Sequence, residues 1–81
     1  MATIEVTQHN FAETVGEGIV LLDFWAEWCG PCRSFGPTFE AASGRHPDAV
    51  FGKIDTETQP ELAAAFQVQG IPMLAVLRDG V

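Results

Sequence analysis

The sequence predicts a single α/β domain with a central mixed sheet flanked by helices. Residues 19–26 form a short, near-continuous apolar run with β-branched and aromatic residues, which indicates a strand buried on both faces. Residues 73–77 predict a further strand that is apolar throughout. Segments with helical spacing of apolar residues lie between such runs, and this alternation is typical of a largely parallel sheet. With no linker, internal repeat or low-complexity segment, residues 1–81 are expected to form one domain.

The first half of the predicted fold has clear local signals. Residues 3–6 alternate in polarity and predict a first strand. Thr7 is predicted to cap a first helix, since a hydroxyl can accept from the free amides of a first turn. Gly16 and Gly18 are expected to end that helix before the apolar run at residues 19–26 begins.

A second helix is expected to begin near Cys29. Pro31 favours this start, because the missing amide hydrogen of a proline has no partner in a first helical turn. Pro37 lies within the apolar spacing of this helix and is expected to kink it. Gly44 and Pro47 are expected to end it.

The second half continues the same alternation. Residues 49–55 predict a third strand, and Pro60 opens a third helix whose inward residues are Leu62, Ala65 and Phe66. After a turn at residues 70–72 comes the last apolar strand. Asp79 and Gly80 are then a strong signal for a hairpin turn, yet only Val81 follows. We therefore expect the chain to be shortened relative to a complete domain of this class.

Composition excludes several classes of function. The chain is 47% hydrophobic, which argues against disorder, and its net charge is −7. Its four basic residues form no cluster, so nucleic acid and anionic membranes are unfavourable partners. A secretory signal and a run long enough to span a membrane are both missing, which predicts a cytoplasmic location where thiols are normally reduced.

The two cysteines, Cys29 and Cys32, are separated by two residues, which indicates a reactive pair rather than a pair that stabilises the fold. They are too few for a four-ligand zinc site, and His9 and His46 do not lie at zinc-like spacing from them. A disulfide that closes so short a loop stabilises a fold little. A metal ligand is therefore not expected.

The predicted helix start gives the two cysteines different roles. Free amides and the positive end of the helix dipole stabilise a thiolate at Cys29, which becomes the attacking group. Cys32 lies one turn later and is expected to stay a thiol until it resolves the mixed disulfide. Gly30 and Pro31 between them add no charge, which favours a reductant over an oxidant.

Asp23 is the second unusual residue, because every neighbour in its strand is apolar. Burial raises the pKa of a carboxyl group, which suits general acid–base catalysis, and Asp23 is placed to take a proton from Cys32 through a water. The alternative is an Asp that caps or hydrogen-bonds locally. Trp25, in the same strand, is expected to be a plain core aromatic, whereas Trp28 is expected beside an exposed cysteine.

Residues 23–32, DFWAEWCGPC, resemble the active-site segment of the thioredoxin family. The resemblance extends in register over nearly the whole chain through Pro37 and residues 53–55, 70–72 and 78–80. It implies a thioredoxin-like fold and a protein-disulfide reductase activity. The family's last strand and last helix would be missing here.

The resemblance also implies roles for individual residues. Cys29 would be the nucleophile and Cys32 the resolving cysteine, with Asp23 as acid–base and Lys53 as the residue that tunes it. Ile71 and Pro72 would form a cis peptide where substrate pairs with the backbone. The remaining docking residues would be Trp28, Gly30 and Pro31.

The resemblance implies no bound cofactor beyond the Cys29–Cys32 disulfide. Electrons would come from NADPH through a thioredoxin reductase, and disulfide-containing proteins would be the substrates. Met73, where the family commonly has Thr, and residues 34–36 depart from the family pattern.

Two alternatives remain open at this point. One is an oxidase or isomerase of disulfides with the same site. The other is a catalytically weak chain that binds partners or a second copy of itself through an exposed sheet edge.

Overall fold

The fold consists of four strands and three helices in regular alternation. A computed structural model describes residues 2–81. The elements are β1 (Thr3–Glu5), α1 (Phe11–Val15), β2 (Ile19–Trp25), α2 (Gly30–Arg45), β3 (Val50–Asp55), α3 (Pro60–Ala65) and β4 (Met73–Arg78). Within residues 2–81, no helix is both long and apolar enough to cross a membrane.

The sheet has the strand order β1-β3-β2-β4. β3 pairs in parallel with β1 and with β2, whereas β4 pairs antiparallel with β2. The expected mixed sheet is therefore confirmed. β2 is hydrogen-bonded to a neighbouring strand along both of its edges. Its carboxyl end leads, through a short turn, to the cysteine pair.

One face of the sheet packs against α1 and α3 and holds the larger core. Leu22 is fully buried there beside Ile54 of β3, and α3 contributes Leu62. Phe66, just after α3, packs its ring 5.2 Å from that of Phe24. Alternate apolar residues of β2 thus fill this core, as expected for a strand with a helix layer over one face.

The opposite face packs against α2. Phe39 of α2 lies 5.2 Å, between ring centroids, from Phe51 of β3. β4 lies at the far side of this face, and its side chains Leu74 and Val76 are 46% and 65% exposed. These two apolar side chains of β4 are therefore left partly uncovered by residues 2–81.

Three local predictions were wrong. Thr7 does not cap α1: its hydroxyl accepts from the amide of Asn10 at 3.4 Å, and the helix begins only at Phe11. α2 continues through Gly44 to Arg45, because glycine inside a helix is unfavourable but tolerated. Ala65 is exposed rather than inward, since α3 ends there after only six residues.

The predicted hairpin turn at Asp79 and Gly80 is confirmed. Both residues have positive φ, 52° and 84°, as a two-residue hairpin loop of type I′ requires. Arg78 and Val81 close the loop with two backbone hydrogen bonds of 2.9 and 3.1 Å. The backbone at Val81 therefore runs back along the free edge of β4.

Gly52 is the glycine whose lack of a side chain the packing requires. A Cβ atom there would lie 2.6 Å from Cγ2 of Val6 and 3.0 Å from Cδ2 of Leu22. Val6 is fully buried and β-branched, so it has little freedom to move away. Glycine at this position of β3 therefore leaves the space on this face of the sheet that the side chains of Val6 and Leu22 fill.

We expect Gly52→Ala to lower the free energy of unfolding by about 1–3 kcal/mol, because an added methyl group overpacks the core. Urea unfolding of the oxidised protein measures this. Gly44→Ala is the matched control: its Cβ would meet no atom within 4 Å, and a helical alanine should add up to about 1 kcal/mol. Equal stability of the two variants would contradict this account of the packing.

Candidate active site

Cys29 stands at the amino end of the longest helix in the described chain. It is the residue before α2, with an extended backbone, and its Sγ accepts a hydrogen bond from the amide of Cys32 at 3.2 Å. The first turn of α2 contains Pro31 and no acidic residue. Free amides, the helix dipole and the missing carboxylates all favour negative charge on the Cys29 sulfur.

A short turn carries the chain from β2 into this helix. The amide of Cys29 donates to the carbonyl of Ala26 at 3.1 Å, and the amide of Arg33 donates to the carbonyl of Cys29 at 3.2 Å. The first bond closes the turn and the second begins the helix. The position of Cys29 is thus set by the end of β2.

Cys29 and Cys32 form a disulfide with a Cα–Cα distance of 5.3 Å. Both residues are only 4% exposed, so the expectation of an exposed cysteine beside Trp28 was wrong in this oxidised form. Trp25 and Ile71 pack against them and cover them. The hydrogen bond to Sγ, rather than exposure, distinguishes Cys29 from its partner.

The loop that contains Ile71 and Pro72 lies directly beside the disulfide. The peptide bond between them is cis, as the resemblance implied. Sγ of Cys29 lies 3.8 Å from the carbonyl oxygen of Ile71. Residues 42 positions apart in the chain therefore meet at the disulfide.

The predicted docking residues lie at the surface around this point. Trp28 is 68% exposed, and Gly30, Pro31 and Pro72 are exposed as well. A groove of about 290 Å³ runs next to them, lined by Trp28, Thr56, Ala63, Val68, Gln69, Gly70 and Ile71. Sequence reasoning did not identify the groove residues from α3 and the loop after it, because only the tertiary fold brings them to Trp28.

Asp23 is 1% exposed, and neither of its carboxylate oxygens has a hydrogen-bond partner within residues 2–81. The alternative of a locally hydrogen-bonded or capping Asp therefore finds no support. Burial raises the pKa of this carboxyl group, and the positive charge of Lys53 opposes the rise. Such a group keeps its proton to a higher pH than an ordinary Asp does.

Lys53 lies directly across from Asp23 in the paired strands β2 and β3. A cavity of about 300 Å³ extends from there to the second cysteine and is lined by Trp25, Cys32, Arg33, Gly36, Pro37, Glu40 and Lys53. Trp25 was expected to be a plain core aromatic, yet it is half-buried and borders this cavity. The signal that was available is its position two residues after Asp23, which places both side chains on one face of the sheet.

No group of three His, Cys, Asp or Glu side chains within residues 2–81 is close enough together to hold a metal ion. The arrangement offers a redox-active cysteine pair, a buried carboxyl group and a nearby ammonium group.

Three relatives align with nearly the whole of this chain. A Streptomyces coelicolor protein with a thioredoxin name is 56% identical over 81 residues, covering 99% of this chain and 60% of that protein. The thioredoxin of Staphylococcus haemolyticus is 43% identical over 99% of this chain and 78% of its own length. That of Mycobacterium tuberculosis is 46% identical over 98% of this chain and 71% of its own. The chain thus spans between 60% and 78% of the length of these relatives.

The fold agrees with these likenesses. A mutant thioredoxin from Halobacterium salinarum NRC-1 matches with a TM-score of 0.89 at 35% identity, over 96% of this chain and 70% of that chain. The family model named Thioredoxin matches residues 2–81. With the Cys-Gly-Pro-Cys disulfide at a helix start and the cis peptide beside it, these matches show that the chain belongs to the thioredoxin family.

Proposed function

We propose that the chain is a thiol–disulfide oxidoreductase that reduces disulfides of other proteins. The observation that carries the proposal is the hydrogen bond from the Cys32 amide to Sγ of Cys29 at the amino end of α2. The same interaction that holds the oxidised sulfur would stabilise a thiolate after reduction. An oxidase or isomerase would need the same pair, but Gly30 and Pro31 supply no charge that would favour the reduced form.

In the first step, the Cys29 thiolate attacks one sulfur of the substrate disulfide. A new bond forms between Cys29 and that sulfur, the substrate S–S bond breaks, and the other substrate sulfur leaves as a thiolate that takes a proton from solvent. Trp28, Gly30 and Pro31 provide the exposed surface on which the substrate docks. Ile71 and Pro72 provide backbone beside the disulfide for an extended substrate segment.

In the second step, Cys32 gives up its proton and attacks the sulfur of Cys29. This forms the Cys29–Cys32 disulfide and releases the second substrate thiolate, so two electrons pass from the cysteine pair to the substrate. Asp23 is the proposed acceptor of the Cys32 proton through a water. The cavity that contains Cys32 and the Asp23 neighbour Lys53 supports this route.

The oxidised pair must then be reduced again. We propose a flavin-containing thioredoxin reductase that uses NADPH, as in the family, and disulfide-containing proteins as the substrates. No bound cofactor is needed for this exchange, because the cysteine pair itself carries the electrons. A reducing compartment such as the cytoplasm keeps the dithiol form available.

Self-association through the free edge of β4 stays a prediction. The exposed side chains Leu74 and Val76 favour it. The net charge of −7 opposes it, because two copies repel each other.

Cys29→Ser is expected to abolish reduction of insulin disulfides driven by dithiothreitol, because the chain has no other thiol placed to attack first. Cys32→Ser is expected to accumulate a mixed disulfide with substrate, because the resolving step is blocked. Turbidity measures the first result and non-reducing electrophoresis with mass spectrometry the second. Full activity of Cys29→Ser, or no covalent complex with Cys32→Ser, would contradict the assigned roles.

Asp23→Ala is expected to slow release of product from the mixed disulfide at pH 7 by about 10²-fold or more, the usual contribution of a positioned base. Stopped-flow measurement of the second step gives this rate separately from the first. Lys53→Met tests the neighbouring charge and should leave the first step unchanged. An unchanged release rate in Asp23→Ala would remove the carboxyl group from the mechanism.

Asp23 should also make the stability of the fold depend on pH. Because its pKa is raised on folding, the unfolded chain loses the proton first as pH rises above about 4, and the folded state loses stability until its own carboxyl group ionises. The free energy of unfolding of the wild type should therefore fall relative to Asp23→Ala over this range and then level off. A constant difference between the two proteins from pH 4 to pH 8 would contradict a raised pKa.

A further inference from the structure

Three side chains of different chemistry share the sheet face beneath α2. Asp23 and Trp25 are two residues apart in β2 and therefore point to the same face. Lys53 of β3 is the register partner of Asp23 and joins them on that face. Gly36 of α2 passes above, where its Cβ position would lie 4.0 Å from Nζ of Lys53.

Two groups near the Lys53 ammonium could attract it: the Trp25 ring and the Asp23 carboxyl group. Its Nζ lies 5.0 Å from the centre of the Trp25 ring, within the range of a cation–π contact. It makes no hydrogen bond to Asp23, whose two oxygens have no partner within residues 2–81. The cation therefore rests on the aromatic face although a carboxyl group is directly across the strand pair.

Both the backbone and the side chain of Trp25 are held in place by contacts with neighbouring residues. Its carbonyl oxygen accepts from the amide of Thr56 at 2.9 Å and from the hydroxyl of Thr56 at 3.2 Å, which anchors the end of β2. Its side chain packs against the cluster that contains Cys29 and Cys32. The ring thus lies between the cysteine pair and the Lys53 ammonium.

Few other charges can act on Asp23. Arg33 and Glu40 of α2 line the same cavity, and Glu40 accepts a hydrogen bond from the Thr3 hydroxyl. β4 places Leu74, which has no charge, across from Asp23. Lys53 is therefore the cation whose position matters most for this carboxyl group.

We propose that Trp25 is a positioning residue that holds the Lys53 ammonium on its ring and so prevents it from pairing with Asp23. Trp has the strongest cation–π attraction of the aromatic side chains, and this site is partly withdrawn from water. An ammonium group held in this way lowers the proton affinity of Asp23 less than a direct ion pair would. The carboxyl group then keeps the proton affinity that a base for Cys32 needs.

The placement of the ammonium stands on geometry alone, whereas its consequence for catalysis rests on the proposed function. Both experiments below use the oxidised protein and its variants, and neither needs enzymatic activity. If Asp23→Ala left the release rate unchanged, the proposed function would fail while the placement of Lys53 could still be confirmed. The two ideas are thus tested separately.

The first experiment is NMR spectroscopy of the wild type. A ring current from Trp25 should move the ε-methylene proton resonances of Lys53 clearly upfield of those of an exposed lysine. Ordinary lysine shifts at this position would overturn the proposal. Lys53→Arg is the conservative variant, since a guanidinium group also stacks on Trp, and its δ-methylene protons should show the same upfield displacement.

The second experiment follows the titration of Asp23 by ¹³C NMR of its carboxyl carbon. Trp25→Phe should lower the midpoint of this titration, and Trp25→Leu should lower it further, because the weakened or missing ring frees the ammonium to pair with the carboxylate. In a Lys53→Met background, neither substitution at Trp25 should move the midpoint. Trp28→Phe, an exposed ring outside this cavity, is the matched control and should leave the midpoint unchanged.

Each outcome decides the question. A fall that requires Lys53 supports the proposal. A fall of equal size with and without Lys53 means that the Trp25 ring only excludes water from Asp23, and it overturns the proposal. No fall in either background also overturns it. If Trp25→Leu does not fold, Trp25→Phe and the wild-type ring current suffice to decide.

Discussion

The double pairing of β2 is the constraint on which the rest of this structure depends. β2 is hydrogen-bonded to β3 along one edge and to β4 along the other, and its side chains are covered on one face by α1 and α3. A strand held in this way has little freedom at its carboxyl end. The turn from Ala26 to Cys29 therefore starts from a fixed point, and so does the helix that follows it.

The chemistry of the site follows from this placement. A sulfur at the amino end of a 16-residue helix meets free amides and a positive dipole end, and here it accepts one of those amides directly. The same strand carries Asp23 inward, where burial raises the pKa of its carboxyl group. β2 thus carries the buried carboxyl group of Asp23 and leads, after a short turn, to the sulfur of Cys29.

Burial of Asp23 opposes folding and raises the pKa of its carboxyl group. Both of its oxygens lack partners within residues 2–81, and a carboxyl group in this condition holds its proton more strongly than one in water. Lys53 is near enough to relieve this, but its ammonium lies on the Trp25 ring instead. The arrangement is typical of a functional site, where local stability is lower than a purely apolar strand would provide.

Much of the fold was predictable because its signals are local. The apolar runs of β2 and β4, the proline in the first turn of α2 and the Asp79–Gly80 turn each depend on a few neighbouring residues, and the elements formed where expected. The local predictions that were wrong concern helix ends. The Thr7 hydroxyl accepts from the Asn10 amide in the turn before α1, and α2 runs past Gly44, because a single residue is a weak signal for where a helix begins or ends.

The sequence by itself determined where the candidate site lies: two cysteines at helix-start spacing and an acidic residue in the apolar strand before them. These are properties of residue types and short spacings. Only the tertiary structure decided that Ile71 meets Cys29, that both sulfurs are covered, and that Trp25 takes the Lys53 ammonium. The physical reason is that such contacts join residues far apart in the chain, and their distances depend on strand order, register and packing together.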